Sequence, residues 1–240
     1  MNSIIGIISI IIGVVVAISG TVYTWRRKQT IEIARFCIIP LIVQFESMRG
    51  YRCEVFDMFR WLSGYKDAPP PKIVEHEFEN LIKKMCKLEK WKRLIKRYNN
   101  ICRECSEVGK KLKEVVLKEL KSEAEEIGKM WERAGRPLSP SLDDFMENLA
   151  QDFYRNYYEH KHRGIKKVYP WCHISVQKLV EVAEREEVKS VIEQLEECLN
   201  KKDEIVDKII NLLNTILGKL KRFYLLSPTE IAPPERVKFM

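Results

Sequence analysis

Residues 74–105 read VEHEFENLIKKMCKLEKWKRLIKRYNNICREC, and their spacing decides the fold. Val74, Phe78, Leu81, Met85, Leu88, Trp91, Ile95, Tyr98, Cys102 and Cys105 step mostly by three and four. Val108, Leu112, Val115, Leu120, Ala124, Ile127 and Trp131 continue the stripe with one slip. Such a stripe is the seam of an amphipathic helix, close to the coiled-coil period. It predicts one long helix, or two nearly collinear ones, over 72–134, ended by Gly135-Arg136-Pro137.

Toward the C-terminus the pattern stays helical. Ser139-Pro140 with Asp143 and Asp144 is a helix start: a capping hydroxyl, Pro at the first helical position and acids facing the positive end of the dipole. That helix runs to about His162, and Gly164 and Pro170 bound a loop. A last helical region covers about 174–225, with a break expected near Asn200. Its stripe is Leu179, Val182, Val188, Val191, Ile192, Leu195, Leu199, Ile205, Ile209, Leu212, Leu213, Ile216, Leu217 and Leu220. The tail from Ser227, with Pro228, Pro233 and Pro234, reads as unstructured. No β-alternation and no internal repeat is evident, so the class is all-α.

Toward the N-terminus, Ile31, Ile33, Phe36, Cys37, Ile38, Ile39, Leu41, Ile42, Val43 and Phe45 form an apolar patch interrupted by Pro40. Phe36–Phe45 is too short to span a bilayer. It is either buried core, the reading favoured here, or a segment in the membrane interface. Tyr51, Phe56, Phe59 and Trp61 extend it, and Ser63-Gly64 and Ala68-Pro69-Pro70-Pro71 form a stiff connector.

Ahead of the patch lies a charge-free run from Ile4 to Thr24, rich in Ile and Val. At ~1.5 Å per residue it matches the ~30 Å hydrocarbon core of a bilayer. A cleaved signal peptide would carry a basic n-region and a shorter apolar stretch, so the run reads as a retained transmembrane helix. Tyr23, Trp25, Arg26, Arg27 and Lys28 close it as a membrane-interface belt. Bases after the run and none before it predict an outside N-terminus and a cytoplasmic body in the cell membrane, single-pass. Gly6, Ser9, Gly13, Ala17 and Gly20 form a stripe of small residues on one side, a surface on which two membrane helices can pack.

These readings divide the chain into an anchor with its basic flank (1–28), an apolar juxtamembrane helical segment (29–68), a cytoplasmic helical bundle with long coiled-coil-like helices (72–226) and a tail (227–240). Charged residues are 32% and hydrophobic residues 45% of 240, which supports a packed core and excludes wholesale disorder. The formal charge of +8 comes from bases interspersed with acids, which favours a solvated surface over a dedicated polyanion site. Two blocks depart from that mixing. Lys83–Arg97 holds eight bases (Lys83, Lys84, Lys87, Lys90, Lys92, Arg93, Lys96, Arg97) and one acid, whereas Glu181–Glu197 holds seven acids and two bases. The simple expectation is that these blocks lie side by side, antiparallel. The alternative is that the basic block meets an anionic partner.

Candidate chemistry is thin. The seven cysteines (Cys37, Cys53, Cys86, Cys102, Cys105, Cys172, Cys198) are odd in number and irregular in spacing, unlike a secreted disulfide framework. Cys102-Arg-Glu-Cys105 lies inside the apolar seam and has no second ligand pair beyond Cys172-His173, so it reads as core rather than zinc or redox site. His160 and His162, two apart, face different ways on a helix. His76, between Glu75 and Glu77, reads as solvated. Phe153, Tyr154, Tyr157 and Tyr158 beside Arg155 could stack on bases, but the same spacing is an ordinary core face. There is no Gly-rich phosphate loop, H-E-x-x-H or G-x-S-x-G. The expectation is a non-enzymatic membrane-anchored scaffold or adaptor with no catalytic, cofactor or metal residues and no evident small-molecule substrate. Its partners are the lipid membrane and a protein or a second copy. The alternative is a membrane-attached nucleic-acid binder using Lys83–Arg97 and Lys161–Lys167.

Overall fold

A computed structural model describes residues 2–50, 71–133, 153–162 and 176–232. Among these the chain is helical, with no strand: all-α, as the spacing predicts. Helix α1 (Asn2–Ile33) runs through a π-helical turn (Ala34–Ile38) into α2 (Ile39–Ser47). Helix α3 (Pro71–Lys84) and the long α4 (Leu88–Arg133) follow, then α5 (153–162), α6 (Val176–Ala183) and the long α7 (Glu186–Tyr224). Several expectations fall outside the described residues. They are the aromatic run 51–61, the Pro-rich connector before Pro71, the helix start at 139–144, the loop around Gly164 and Pro170, Cys172-His173, and 233–240.

The residues form two compact units. The first combines Met1–Ser47, Phe56–Ile95 and Asp207–Met240, and the second combines Met48–Val55 with Lys96–Val206. Helices α4 and α7 each contribute to both.

In the first unit, Pro40 does not break the helix as its sequence position suggests. A proline inside a helix lacks an N–H and crowds the carbonyl four residues earlier. Here the turn before it widens, and the Ile39 N–H bonds to Ala34 O, five residues back. Cys37, Ile38, Leu41 and Phe45 are fully buried, so the favoured reading of the 36–45 patch as core holds. Helix α3 packs on α1 and the π turn through Val74, Phe78 and Ile82, and Phe78 meets Trp91 edge-on at 5.2 Å. Leu213, Ile216, Leu217 and Leu220 of α7 are buried in the same unit.

The long seam of 72–134 is two helices, divided at 85–87. Cys86 has φ +55°; its N–H bonds to Lys83 O at 2.9 Å and the Lys87 N–H to Ile82 O at 2.9 Å. This is a Schellman cap with a non-glycine residue in the left-handed position. Replacing Cys86 by Gly relieves about 1–2 kcal/mol of left-handed strain but adds some unfolded-chain entropy, for a net gain of about 0.5–1 kcal/mol. The check is a rise in the chemical-denaturation midpoint.

The second unit is built on an antiparallel pairing of α4 with α7, with α5 and α6 packed alongside. Cys105, Leu112, Val116 and Leu120 face Val188, Ile192, Leu195 and Leu199, with Phe153 and Val182 among them. The register is marked by Lys118–Glu187 (3.4 Å), by the Arg185–Glu119 ion pair, and by Cys105 against Cys198. Helix α7 passes Asn200 without interruption. The break lies instead at Glu184-Arg185, where Glu186 and Glu187 then occupy the first turn of α7 and suit the positive end of its dipole.

That register corrects the expected pairing of the two charged blocks. Since 105 meets 198 and 118 meets 187, the part of α4 facing the acidic block starts beyond Arg97. The acidic residues are answered by Lys118, by Arg185 with Glu181 (3.5 Å), and by Lys161 with Glu196 (3.1 Å).

One polar cluster sits within this unit. Lys202 is completely buried, and its ammonium donates to Met48 O at 2.7 Å and Gly50 O at 2.6 Å. The neighbouring Asp203 carboxylate, 3.4 Å from the ammonium, accepts the Gly50 N–H at 3.0 Å. Gly50 has φ +74°, which a side chain would resist. Met48 also receives the Tyr98 hydroxyl at its sulfur (3.0 Å). The chain leaving α2 is thus clamped to α7 by a lysine and an aspartate adjacent in sequence.

Candidate membrane anchor and juxtamembrane site

Residues 10–26 of α1 are exposed around the whole helix. Ile10 is 68% exposed and Val16 64%, where side chains of this type are normally buried. The helix from Ile10 onward is long and apolar enough to cross a membrane, and none of its most apolar window is buried. Within the small-residue stripe, a side-chain carbon added at Gly13 or Gly20 would meet nothing within 4 Å, and Ala17 is exposed. Gly6 and Ser9 belong to α1, with side chains outside the described set. The Thr21 and Thr24 hydroxyls donate back to Ala17 O and Gly20 O, both at 2.9 Å, so they present methyl groups rather than bare hydroxyls.

The five belt residues have different roles. Trp25, Arg26 and Lys28 are exposed. Tyr23 approaches Tyr224 at the end of α7, with ring centres 6.0 Å apart. Arg27 turns to the protein: its Nε donates to Tyr224 O at 3.2 Å and its Nη2 to Glu230 at 2.6 Å. Tyr224 ends α7, so Arg27 satisfies one of the carbonyls a helix leaves open. Glu230 also accepts the N–H and hydroxyl of Ser227, both at 2.9 Å. Leu226 donates to Lys221 O at 3.1 Å, and Leu226 and Ile231 are buried. The first residues of the expected tail, 227–232, therefore form a bonded turn rather than loose chain. The Pro content misled because it hid a serine and a glutamate at turn spacing.

The Ser227 backbone N–H, then Arg27 and the Ser227 hydroxyl, hold the Glu230 carboxyl down to about 2. A depressed carboxylate contributes stability that is complete above its unfolded pKa, near 4.5, and is lost as pH falls toward about 2. Glu230→Gln should therefore lower the melting temperature at neutral pH, and the gap from wild type should close on acidification through that window. A gap independent of pH would mean that the charge of Glu230 is not what binds Arg27.

The basic block is exposed at Lys83, Lys84, Lys90, Lys92, Arg93, Lys96 and Arg97 and half-buried at Lys87, and none makes an ion pair with a described residue. Lys83 and Lys84 suit the negative end of α3. Lys90 stands at the opposite kind of end, in the opening turns of α4, where a cation costs about 0.3–1 kcal/mol. Helix electrostatics alone therefore does not account for the block.

The other candidates are structural. Cys102 and Cys105 are 1% and 2% exposed and belong to the cores. Burial pushes the thiols of Cys37 and Cys198 upward, the opposite of an activated nucleophile. Phe153, Tyr154 and Tyr157 are buried, and Lys161 lies 5.4 Å over the Tyr157 ring. The His162 ring stacks on Tyr158 at 4.4 Å. No group of three or more metal-type ligands occurs among the described residues, which include His76 and His160. Lys166 and Lys167 lie outside the described residues.

Sequence reasoning missed the Lys202 clamp, the Arg27–Glu230 latch and a cleft in the first unit, between α1, α3 and the end of α7, of about 380 Å³. Only the first left a signal: 195, 199, 202, 206, 209 and 213 continue one seam, and Lys202 fills an apolar position in it. No protein-family model matches the chain, and neither a curated protein nor a solved structure matches it.

Proposed function

We propose that the chain is a membrane-anchored helical scaffold. Residues 4–24 cross the bilayer with the N-terminus outside, and the helical body stands on the cytoplasmic face and works through protein contacts. The observation that carries this reading is the fully exposed apolar surface of residues 10–24. An apolar surface of that extent is stable in lipid and unstable in water. The bases that follow it favour the cytoplasmic side for the body. The open surface at Gly13, Ala17 and Gly20 suits close approach of a second membrane helix, in a second copy or a partner.

Protease protection on intact cells tests the topology: the body should resist digestion until the membrane is permeabilised. Co-purification in mild detergent, with the full chain and with Gly13→Leu/Ala17→Leu, tests the scaffold. A stoichiometric partner or dimer weakened by the double substitution supports it. An inert monomer whose interactions do not depend on the anchor would end it.

A second reading rests on the exposed basic block, with cations at the start of α4. It is a membrane-attached nucleic-acid binder. Phosphate contacts make affinity fall steeply with salt, by about 10³-fold or more between 50 and 200 mM for six to ten contacts. Absence of binding at low salt would remove it.

A further inference from the structure

The cleft of about 380 Å³ in the first unit stands directly below the apolar run of α1. Trp25 and Arg26, the first two residues after that run, line it together with Gln29 one turn on. Asn80 and Lys84 of α3 and Tyr224 at the end of α7 line it as well. From Trp25 to Gln29 the helix advances ~6 Å, close to the depth of one headgroup layer.

The lining has the chemistry of a phosphate site. Two cations, Arg26 and Lys84, and two amides, Gln29 and Asn80, are among the lining residues, with one carboxylate, Glu77. Neither cation makes an ion pair with a described residue, and Glu230 pairs with Arg27 rather than Arg26. A tryptophan and a tyrosine in the lining suit the carbonyl and glycerol level of a lipid. A basic pocket at the cytoplasmic end of a membrane helix is a place where anionic headgroups bind.

We propose that this cleft holds the phosphate headgroup of an anionic glycerophospholipid, with its acyl chains lying along the exposed face of α1. The proposal rests on the anchor reading above. A zwitterionic lipid would bring its own cation toward Arg26 and Lys84 and gain less.

The test uses the full chain in mild detergent, with native mass spectrometry after addition of dioleoyl phosphatidylglycerol, dioleoyl phosphatidylcholine or inorganic phosphate. The phosphatidylglycerol adduct should be favoured, and Arg26→Gln and Lys84→Gln should each weaken it about fivefold. Lys83→Gln, exposed beside the cleft but not lining it, should leave it unchanged. Circular dichroism confirms that the variants keep their helices. Equal uptake of the two lipids, or equal effects at Lys83 and Lys84, would overturn the proposal. Displacement of the lipid by inorganic phosphate would assign the cleft to a free anion and overturn the lipid. Alkaline-carbonate extraction separates the two failures. A chain that stays in the membrane pellet but shows no lipid preference loses only the headgroup site, whereas a chain that is extracted loses the anchor as well.

Discussion

Replacing Lys202 by Met should destabilise the folded body by about 2–4 kcal/mol, because a buried and a half-buried carbonyl lose a charged donor and only part of the loss is recovered from easier desolvation. Methionine keeps the aliphatic stem, so the loss reports the ammonium and its bonds to Met48 O and Gly50 O. Lys202→Ala should cost more, since it adds a cavity beside Met48 and the turn at Gly50. Lys201 is the internal control: it is exposed, and its partner is Glu197 one turn back at 2.6 Å. Loss of such a solvent-screened pair costs little. Melting curves read the difference, and hydrogen exchange at the Gly50 amide should speed up in the Lys202 variants first. Equal effects at 201 and 202 would show that the clamp holds nothing.

Placing Asp at both Val14 and Val16 should remove the chain from the membrane pellet after alkaline-carbonate extraction. The run from Ile4 to Thr24 contains eight Ile and four Val. Each contributes at most about 0.3–0.6 kcal/mol to insertion, so together they supply about 4–7 kcal/mol. Two aspartates at the centre cost about 5–7 kcal/mol and cancel it. Leu at the same two positions should leave retention unchanged. If the doubly acidic chain still pelleted, some other surface would hold it to the membrane.

The helices were legible because their apolar stripes are long. Leu179, Val188, Leu195, Leu199, Leu213 and Leu220 are buried as the stripe requires. The stripe of 72–134 is wider than its period suggests, since Ile82, Leu94, Ile101 and Val116 are buried while Leu81 and Ile95 are only half so. Where the reading went astray, a local rule met a tertiary cause. Asn200 suggested a break, but a neighbouring lysine and aspartate are tied into a packed turn and the helix continues. Pro40 suggested an interruption, but one wide turn absorbs it. The register of α4 on α7 was out of reach, because charge blocks specify orientation weakly at ~0.2–1 kcal/mol per exposed pair. Arg27 and Tyr224 are 197 positions apart, and nothing in either's neighbours points to the other. The cleft draws on three helices, so no window of sequence contains it.

The first unit is assembled from stretches far apart in the chain, Met1–Ser47, Phe56–Ile95 and Asp207–Met240, whereas the second is nearly continuous. This sets an order on biosynthesis. The apolar helix of α1 is synthesised long before residues 207–231, which complete the same unit. The segment 96–206 can then condense almost on its own. Only afterwards do the end of α7 and Glu230 reach Arg27 and close the first unit. A message cut before codon 207 would leave the first unit without its last stretch and part of its apolar core uncovered, the kind of species that chaperones and proteases remove.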